Sequence, residues 1–288
     1  MWLPRFACPE CRTDLIETAV ERFACDGCGR VFDRRNGVWR FLTSTRGARL
    51  EPVVRHLRYV RQREGCFAAA PEYYRRLPSV APGDPRAHEW HVRRETYHHL
   101  LGHVLAAGPS PLHVLDLGAG SGWLSHRLTS LGHHTVAVDA IDDEVDGLGA
   151  ARHYATEFPT VQADFDALPF APGQFDLVVF NGSLHYAADA AATLERAHRQ
   201  LAPGGTLVVM DSPMFSADRD AAATMHGGGN PPGAGVLTFA RLAGIAEKLA
   251  LRPQFVPSRG PFSWRLRRGV ARVRQRRRPA SFGLWVAR

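Results

Sequence analysis

The chain has 288 residues, 45% hydrophobic and 22% charged, a balance expected of a globular fold long enough for one large domain and a small one. No apolar run reaches the ~18 residues needed to span a bilayer, and no apolar signal core precedes Cys8, so a cytoplasmic location without a membrane partner is expected. The net charge of +8 is uneven: +1 over residues 1–45, +5 over 46–110, −9 over 111–251 and +11 over 252–288.

Four of the five cysteines form two pairs, Cys8 and Cys11 in "CPEC" and Cys25 and Cys28 in "CDGC". In a cytosolic chain this spacing reads as a metal site rather than as disulfides. Two such knuckles close a tetrahedral thiolate shell suited to Zn2+, and a shell with no open position makes the metal structural. A zinc ribbon over residues 1–45 is therefore expected, with Cys8, Cys11, Cys25 and Cys28 as ligands; a ribbon of reduced thiols is the alternative. Cys66 stands alone and reads as a core or helix-surface thiol. "FDRRNGVWRFL" finishes the ribbon, with Asn36-Gly37 as its turn.

"TSTRGARLEP" (43–52) reads as a linker. Residues 53–107 read as helices broken at "APGDP", so 46–110 is expected to be a helical linker and active-site cover. From His113 onward strand-like and helix-like segments alternate, with helices expected near 121–131, 142–155, 188–202 and 238–250. The strands are apolar nearly throughout, as buried parallel strands are. Residues 111–288 are thus expected to form a doubly wound α/β, Rossmann-like sheet, with "PQFVPSRG" and "SFGLWVAR" as an antiparallel pair at its edge.

"HVLDLGAGSGWLSHRL" (113–128) carries the chemistry. A phosphate-binding P-loop needs a lysine that this turn lacks. A dinucleotide turn wants a third glycine where Trp123 stands, to let helix and strand pack closely. Asp116, two residues before Gly118, suits an ammonium group better than a pyrophosphate.

The pattern Asp116-x-Gly118-x-Gly120-x-Gly122 resembles motif I of the class I S-adenosylmethionine-dependent methyltransferases. The resemblance continues through Asp139 closing "HTVAVD", Asp164 and Phe165 in "ADFDALPF", Asn181 in "FDLVVFNGSLHY", and the Pro-Gly-Gly turn of "LAPGGTLVVMD", and spans about residues 86–288. It implies a seven-stranded sheet and S-adenosyl-L-methionine as cofactor. It also implies that Asp139 accepts the ribose hydroxyls, Asp164 the adenine amino group, and that the backbone N–H of Phe165 meets a ring nitrogen. In "EWHVRRETY", Arg93 or Arg94 is a candidate partner for the cofactor's carboxylate and Tyr97 for its amino-acid end; Tyr73 and Tyr74 form a second aromatic patch.

The resemblance implies methyl transfer to an O, N or C nucleophile. His185, after the fourth strand, is a candidate catalytic base or substrate hydrogen-bonding group; a cofactor-facing histidine is the alternative. His226, beside the loop 226–235, is a weaker candidate. "NGSL" departs from the Asn/Asp-Pro-Pro-Tyr/Phe motif of methyltransferases acting on adenine amines or glutamine amides, and the cysteine nucleophile of pyrimidine-C5 enzymes has no counterpart near the fourth or fifth strand. A small-molecule methyl acceptor, a metabolite or natural product, is therefore expected. The alternative partner is RNA: a similar ribbon fronts guanine-N1 methyltransferases of ribosomal RNA, and "RLRRGVARVRQRRR" (265–278) is a candidate phosphate-binding strip. A binding module that keeps the cofactor without chemistry is a third reading.

Overall fold

The computed structural model describes residues 2–63, 65, 70–106, 110–225, 235–262, 264–266, 269 and 278–288, without the side chains of 222–225. Cys66, His226, nearly all of the loop 226–235 and most of the arginine run 265–278 lie outside the described residues.

The N-terminal region folds as β1 (Ile16–Ala19), β2 (Arg22–Ala24), β3 (Val31–Arg35) and β4 (Val38–Arg40), joined antiparallel. Asn36 and Gly37 turn the last hairpin with φ of 51° and 80°, the left-handed pair that Asn-Gly tolerates best. Three helices follow: α1 (Ser44–Arg63), α2 (Pro71–Arg76) and α3 (Ala87–Leu100). Alternation then begins with β5 (His113–Leu117), α4 (Trp123–Ser130), β6 (His134–Asp139), β7 (Thr160–Gln162), β8 (Phe175–Asn181), α5 (Ala190–His198) and β9 (Leu201–Met210). A short parallel pair, β10 (Met214–Phe215) and β11 (Leu237–Thr238), flanks α6 (Asp218–Met225). The chain ends with α7 (Phe239–Lys248), β12 (Pro253–Pro257) and β13 (Gly283–Ala287).

One sheet of eleven strands runs β1-β2-β3-β4-β7-β6-β5-β8-β9-β13-β12. The seven from β7 to β12 are the expected doubly wound sheet: β7, β6, β5, β8 and β9 are parallel, and β13 joins antiparallel between β9 and β12. The four N-terminal strands extend it, because β4 pairs in parallel with β7, Trp39 opposite Val161.

Alternation along each buried strand feeds two cores, one per face. Leu115, Leu117, Val178 and Phe180 face a core closed by Leu194 of α5, Leu242 of α7 and the N-terminal aromatics Phe6, Trp39 and Phe41. Val114, Leu177 and Val179 face a second core closed by Trp90 and Leu100 of α3 and Leu124 of α4. Among the described residues no helix is long and apolar enough to cross a membrane.

Two segments differ from the sequence reading. Residues 43–52 are not a linker: α1 starts at Ser44 and carries Pro52 inside it. Gly47 and Pro52 mask its apolar spacing of Leu50, Val53, Val54 and Leu57, and arginines from this helix reach acids elsewhere in the fold. Residues 142–155 hold only a short 3-10 helix, Leu148–His153. Asp143 draws the backbone N–H groups of Val145 and Asp146 into a local turn, at 3.1 and 2.6 Å, which competes with helix formation.

Candidate active site

The turn between β5 and α4 is built by three glycines in left-handed conformation, Gly118, Gly120 and Gly122, with φ of 72°, 55° and 76°. A Cβ on Gly118 would lie 2.2 Å from Cβ of Ser183, so only glycine lets the turns after β5 and β8 close on each other. Trp123 is buried, and its ring packs edge-on against Trp90 and Tyr97, both at 5.9 Å. A tryptophan here anchors α4 to α3, where a dinucleotide turn would need a glycine.

A cavity of about 520 Å3 opens at the carboxyl ends of β5 to β8. Gly118, Gly120, Asp139, Asp164, Phe165 and Asn181 line it together. Asp139 accepts the backbone N–H of Gly120 through Oδ2 and that of Ile141 through Oδ1, both at 2.8 Å. Burial raises its pKa in spite of those bonds. Asp164 accepts the Asp166 N–H at 3.0 Å through Oδ1, while its Oδ2 lies 3.3 Å from both Arg46 and Arg49. Phe165 packs edge-on against Phe180 at 5.8 Å. Asn181 is buried and its Oδ1 has no partner among the described residues.

Asp116 is placed differently. It lies beneath the turn, fully buried, and is not among the residues lining the cavity. Its Oδ2 accepts from Ser125 Oγ at 2.8 Å, and burial pushes its pKa up to about 7.

His185 also lies off this cavity. It lines an adjoining one of about 570 Å3 that shares Arg86, Arg93, Gly182 and Tyr186 with the first. Its Nδ1 is 3.3 Å from Ser212 Oγ. Burial, helped by the positive charges of Arg93 and Arg61, pushes its pKa down to about 3. An imidazole held that low is neutral at pH 7 and a weak proton acceptor.

The facing wall of the first cavity comes from the helices. Leu50, Val53, Val54, Leu57 and Arg61 of α1 line it, as do Trp90 and Arg93 of α3. Arg94 and Tyr97 do not: Arg94 sits beside His91, and Tyr97 is buried in the core behind. Tyr73 accepts the Trp90 indole N–H at 3.0 Å, and Tyr74 is buried with its hydroxyl donating to the Val145 carbonyl. Sequence reasoning missed Arg61, Arg86 and the apolar face of α1. The signal for that face was the i, i+3, i+4, i+7 spacing from Leu50.

Away from the cavity, Cys8, Cys11, Cys25 and Cys28 bring four sulfurs within 4.8 Å of one another. Cys8 and Cys28 are 3.6 Å apart, Cys11 and Cys25 3.3 Å. Gly29 follows with φ 69°. Four converging sulfurs fit a tetrahedral thiophilic ion.

Residues 115–209 match the family described as "Methyltransferase domain". Over 95 residues the chain is 33% identical to a malonyl-[acyl-carrier protein] O-methyltransferase of Erwinia billingiae, covering 33% of this chain and 37% of that protein. Over 113 residues it is 36% identical to the demethylmenaquinone methyltransferase of Thermus thermophilus, covering 38% of this chain and 51% of that protein. The chain thus spans between about a third and a half of the length of these curated relatives. Among solved structures, the magnesium protoporphyrin IX methyltransferase of Synechocystis PCC 6803 is similar in fold. Its TM-score is 0.51 at 16% identity, covering 79% of this chain and 95% of that one. The matched segment carries the glycine turn together with Asp139, Asp164 and Asn181.

Proposed function

We propose that this chain is an S-adenosylmethionine-dependent methyltransferase acting on a small-molecule acceptor. The observation that carries the reading is the convergence of the glycine turn with Asp139, Asp164 and Asn181 on one cavity. These residues fit the cofactor by the chemistry of their donor set. Carboxylates at strand ends accept hydroxyl and amino protons, the orphaned Asn181 Oδ1 offers a further acceptor, and a turn without Cβ atoms admits close approach.

When bound, the cofactor supplies an electrophilic methyl group on a sulfonium. The chain's own residues do the rest. Asp139 and Asp164 hold and orient. The apolar face of α1 and Trp90 exclude water, which strengthens alignment and suppresses hydrolysis. The adjoining cavity, reached past Arg93 and Tyr186, is the place for the acceptor. A cavity of about 570 Å3 suits a small molecule, and the relatives named above are small-molecule or carrier-bound acyl methyltransferases by description. The four-cysteine cluster holds a structural zinc in this reading, at a distance from the chemistry.

Asp139→Ala tests the cofactor site. Calorimetric titration with S-adenosylmethionine is expected to show at least a tenfold loss of affinity, about 1.4 kcal/mol. Unchanged affinity would overturn the assignment.

A further inference from the structure

The following rests on the methyltransferase reading and concerns the acceptor. The adjoining cavity is walled by Tyr186, Trp264 and Phe282 together with Val92 and Pro213. Rings and prolines of that kind favour a flat apolar body over a flexible, hydrated one. Its titratable and charged groups come from three elements. Arg86, His88, Glu89 and Arg93 enter from the start of α3, His185 and Tyr186 from the turn after β8, and Asp211 from the end of β9. Among the described residues lining the cavity, the C-terminal hairpin adds no charged side chain; beside Thr96 it places the Ser258 hydroxyl. Glu89 is already engaged: Arg86 grips it through Nε at 3.0 Å and Nη2 at 2.7 Å, and Arg93 Nη2 lies 2.8 Å away. Two guanidiniums on one carboxylate leave a net positive charge at the junction of the two cavities.

Asp211 is held in an unusual way. It has φ 55°, a left-handed backbone rare outside glycine, and is 6% exposed. Such strain concentrates at functional sites. Thr96 Oγ1 lies 2.6 Å from Asp211 Oδ1, 2.7 Å from Ser258 Oγ and 3.0 Å from the Val92 carbonyl. A threonine hydroxyl has a single proton to give. With Asp211 ionised, that proton goes to Oδ1 and Ser258 donates to Thr96. With Asp211 protonated, the hydroxyl is free to turn to the Val92 carbonyl. The same small network therefore serves both states of the carboxyl. Oδ2 has no partner among the described residues. Burial pushes the Asp211 pKa up to about 6 against the pull of Arg93 and Thr96, a range suited to accepting a proton near neutrality.

We propose that Asp211 is the proton acceptor of the transfer step, and that the methyl acceptor is a planar aromatic compound whose weakly acidic hydroxyl is held between Asp211 Oδ2 and the Arg93 guanidinium. The acceptor O–H bond breaks and its proton passes to Oδ2. The oxygen lone pair forms the O–CH3 bond as the C–S bond breaks, and that electron pair returns to sulfur. The products are an aryl methyl ether, a neutral thioether and a protonated Asp211, which releases its proton to solvent.

The test uses the full chain with 7-hydroxycoumarin as probe and coumarin as its counterpart without the hydroxyl. Binding of both is titrated by calorimetry from pH 5 to 8 with S-adenosylhomocysteine present. The hydroxylated probe is expected to bind at least tenfold tighter at pH 7.5, and to lose that advantage as the pH falls below about 6, while coumarin binding stays level. In Asp211→Asn the advantage shrinks to under threefold and loses its pH dependence; asparagine tolerates the left-handed backbone, so the variant keeps the local geometry. Formation of 7-methoxycoumarin from S-adenosylmethionine at pH 6.5 falls on the order of 100-fold in that variant and recovers as the pH passes the ionisation of the probe itself. Thr96→Val, which removes the hydrogen bond to Oδ1, moves the acid limb of the binding profile to higher pH. Equal affinity for the two probes, or no binding of either while S-adenosylhomocysteine binds, overturns the acceptor class and leaves the methyltransferase reading standing. An unchanged profile in Asp211→Asn overturns its role as proton acceptor. Failure of S-adenosylhomocysteine to bind brings down the underlying reading instead.

Discussion

Asp116 is a carboxyl group with no route to water and one oxygen without a partner among the described residues. Its pKa is raised by burial from 3.8 in the unfolded chain to about 7. Between those values the folded chain keeps a proton that the unfolded chain has lost. The stability this group lends is therefore full below its unfolded value and is lost as the pH rises through its folded one. Asp116→Asn removes that titration while keeping an oxygen for Ser125. Thermal melts are expected to show the variant gaining on the wild type by roughly 3 °C or more between pH 5 and pH 8. A parallel course of the two proteins across that range would remove Asp116 from the account. The motif that drew attention to this residue was legible, but its placement was not. A strand of strictly alternating faces puts Asp116 on the inner side of the turn, and sequence spacing alone does not say which side a ligand takes.

At the scale of elements, α1 is attached to the sheet mainly through charge. Arg46 and Arg49 reach Asp164, Arg49 also reaches Asp166, Arg58 reaches Asp143 and Arg61 reaches Asp146. Exposed pairs such as that of Arg58 contribute little, but Asp164 is only 5% exposed and is left uncompensated if both its arginines go. In Arg46→Gln/Arg49→Gln, amide hydrogen exchange across residues 44–63 is expected to rise at least tenfold while β5 and β8 keep their protection. Protection of α1 that survives the double change would show that its apolar face alone holds it. The strands β5, β6, β8 and β9 and the helices α4, α5 and α7 could be read from apolar runs and caps, for those signals are local. The first half of α1 could not, because Gly47 and Pro52 speak against a helix locally and its arginines are supported by Glu10 and by acids more than eighty residues away. Asp211 escaped notice for a related reason: it follows β9 at the end of "LAPGGTLVVMD", a segment read for its Pro-Gly-Gly turn, and only the packing of α3 and the C-terminal hairpin gives it Thr96 and Ser258 as neighbours.

Across the whole molecule, the four-cysteine region is continuous with the core. Phe6 packs on Phe41 at 4.8 Å and on Phe170 at 5.8 Å, and Cys8 and Cys25 are buried in the same cluster as the sheet's own Phe175 and Phe180. If zinc holds the four sulfurs, its binding energy supports this shared core as well as the hairpins around it. Stripping the metal with a chelator is expected to lower the main unfolding transition by at least about 5 °C in calorimetry, with one equivalent of zinc released per chain. A separate early transition that leaves the main one in place would mean that the cluster stabilises residues 1–45 alone.

The parallel pairing of β4 with β7 also sets a timetable. During synthesis Val38–Arg40 leave the ribosome long before their partners Thr160–Gln162 have been made. The strand that joins the N-terminal hairpins to the sheet is thus made before β5 to β13 and has no partner in that sheet until β7 follows. Until then its amides and those of β7 are open to a second nascent chain. If zinc holds the four sulfurs, the short hairpins have a means of staying ordered through that delay.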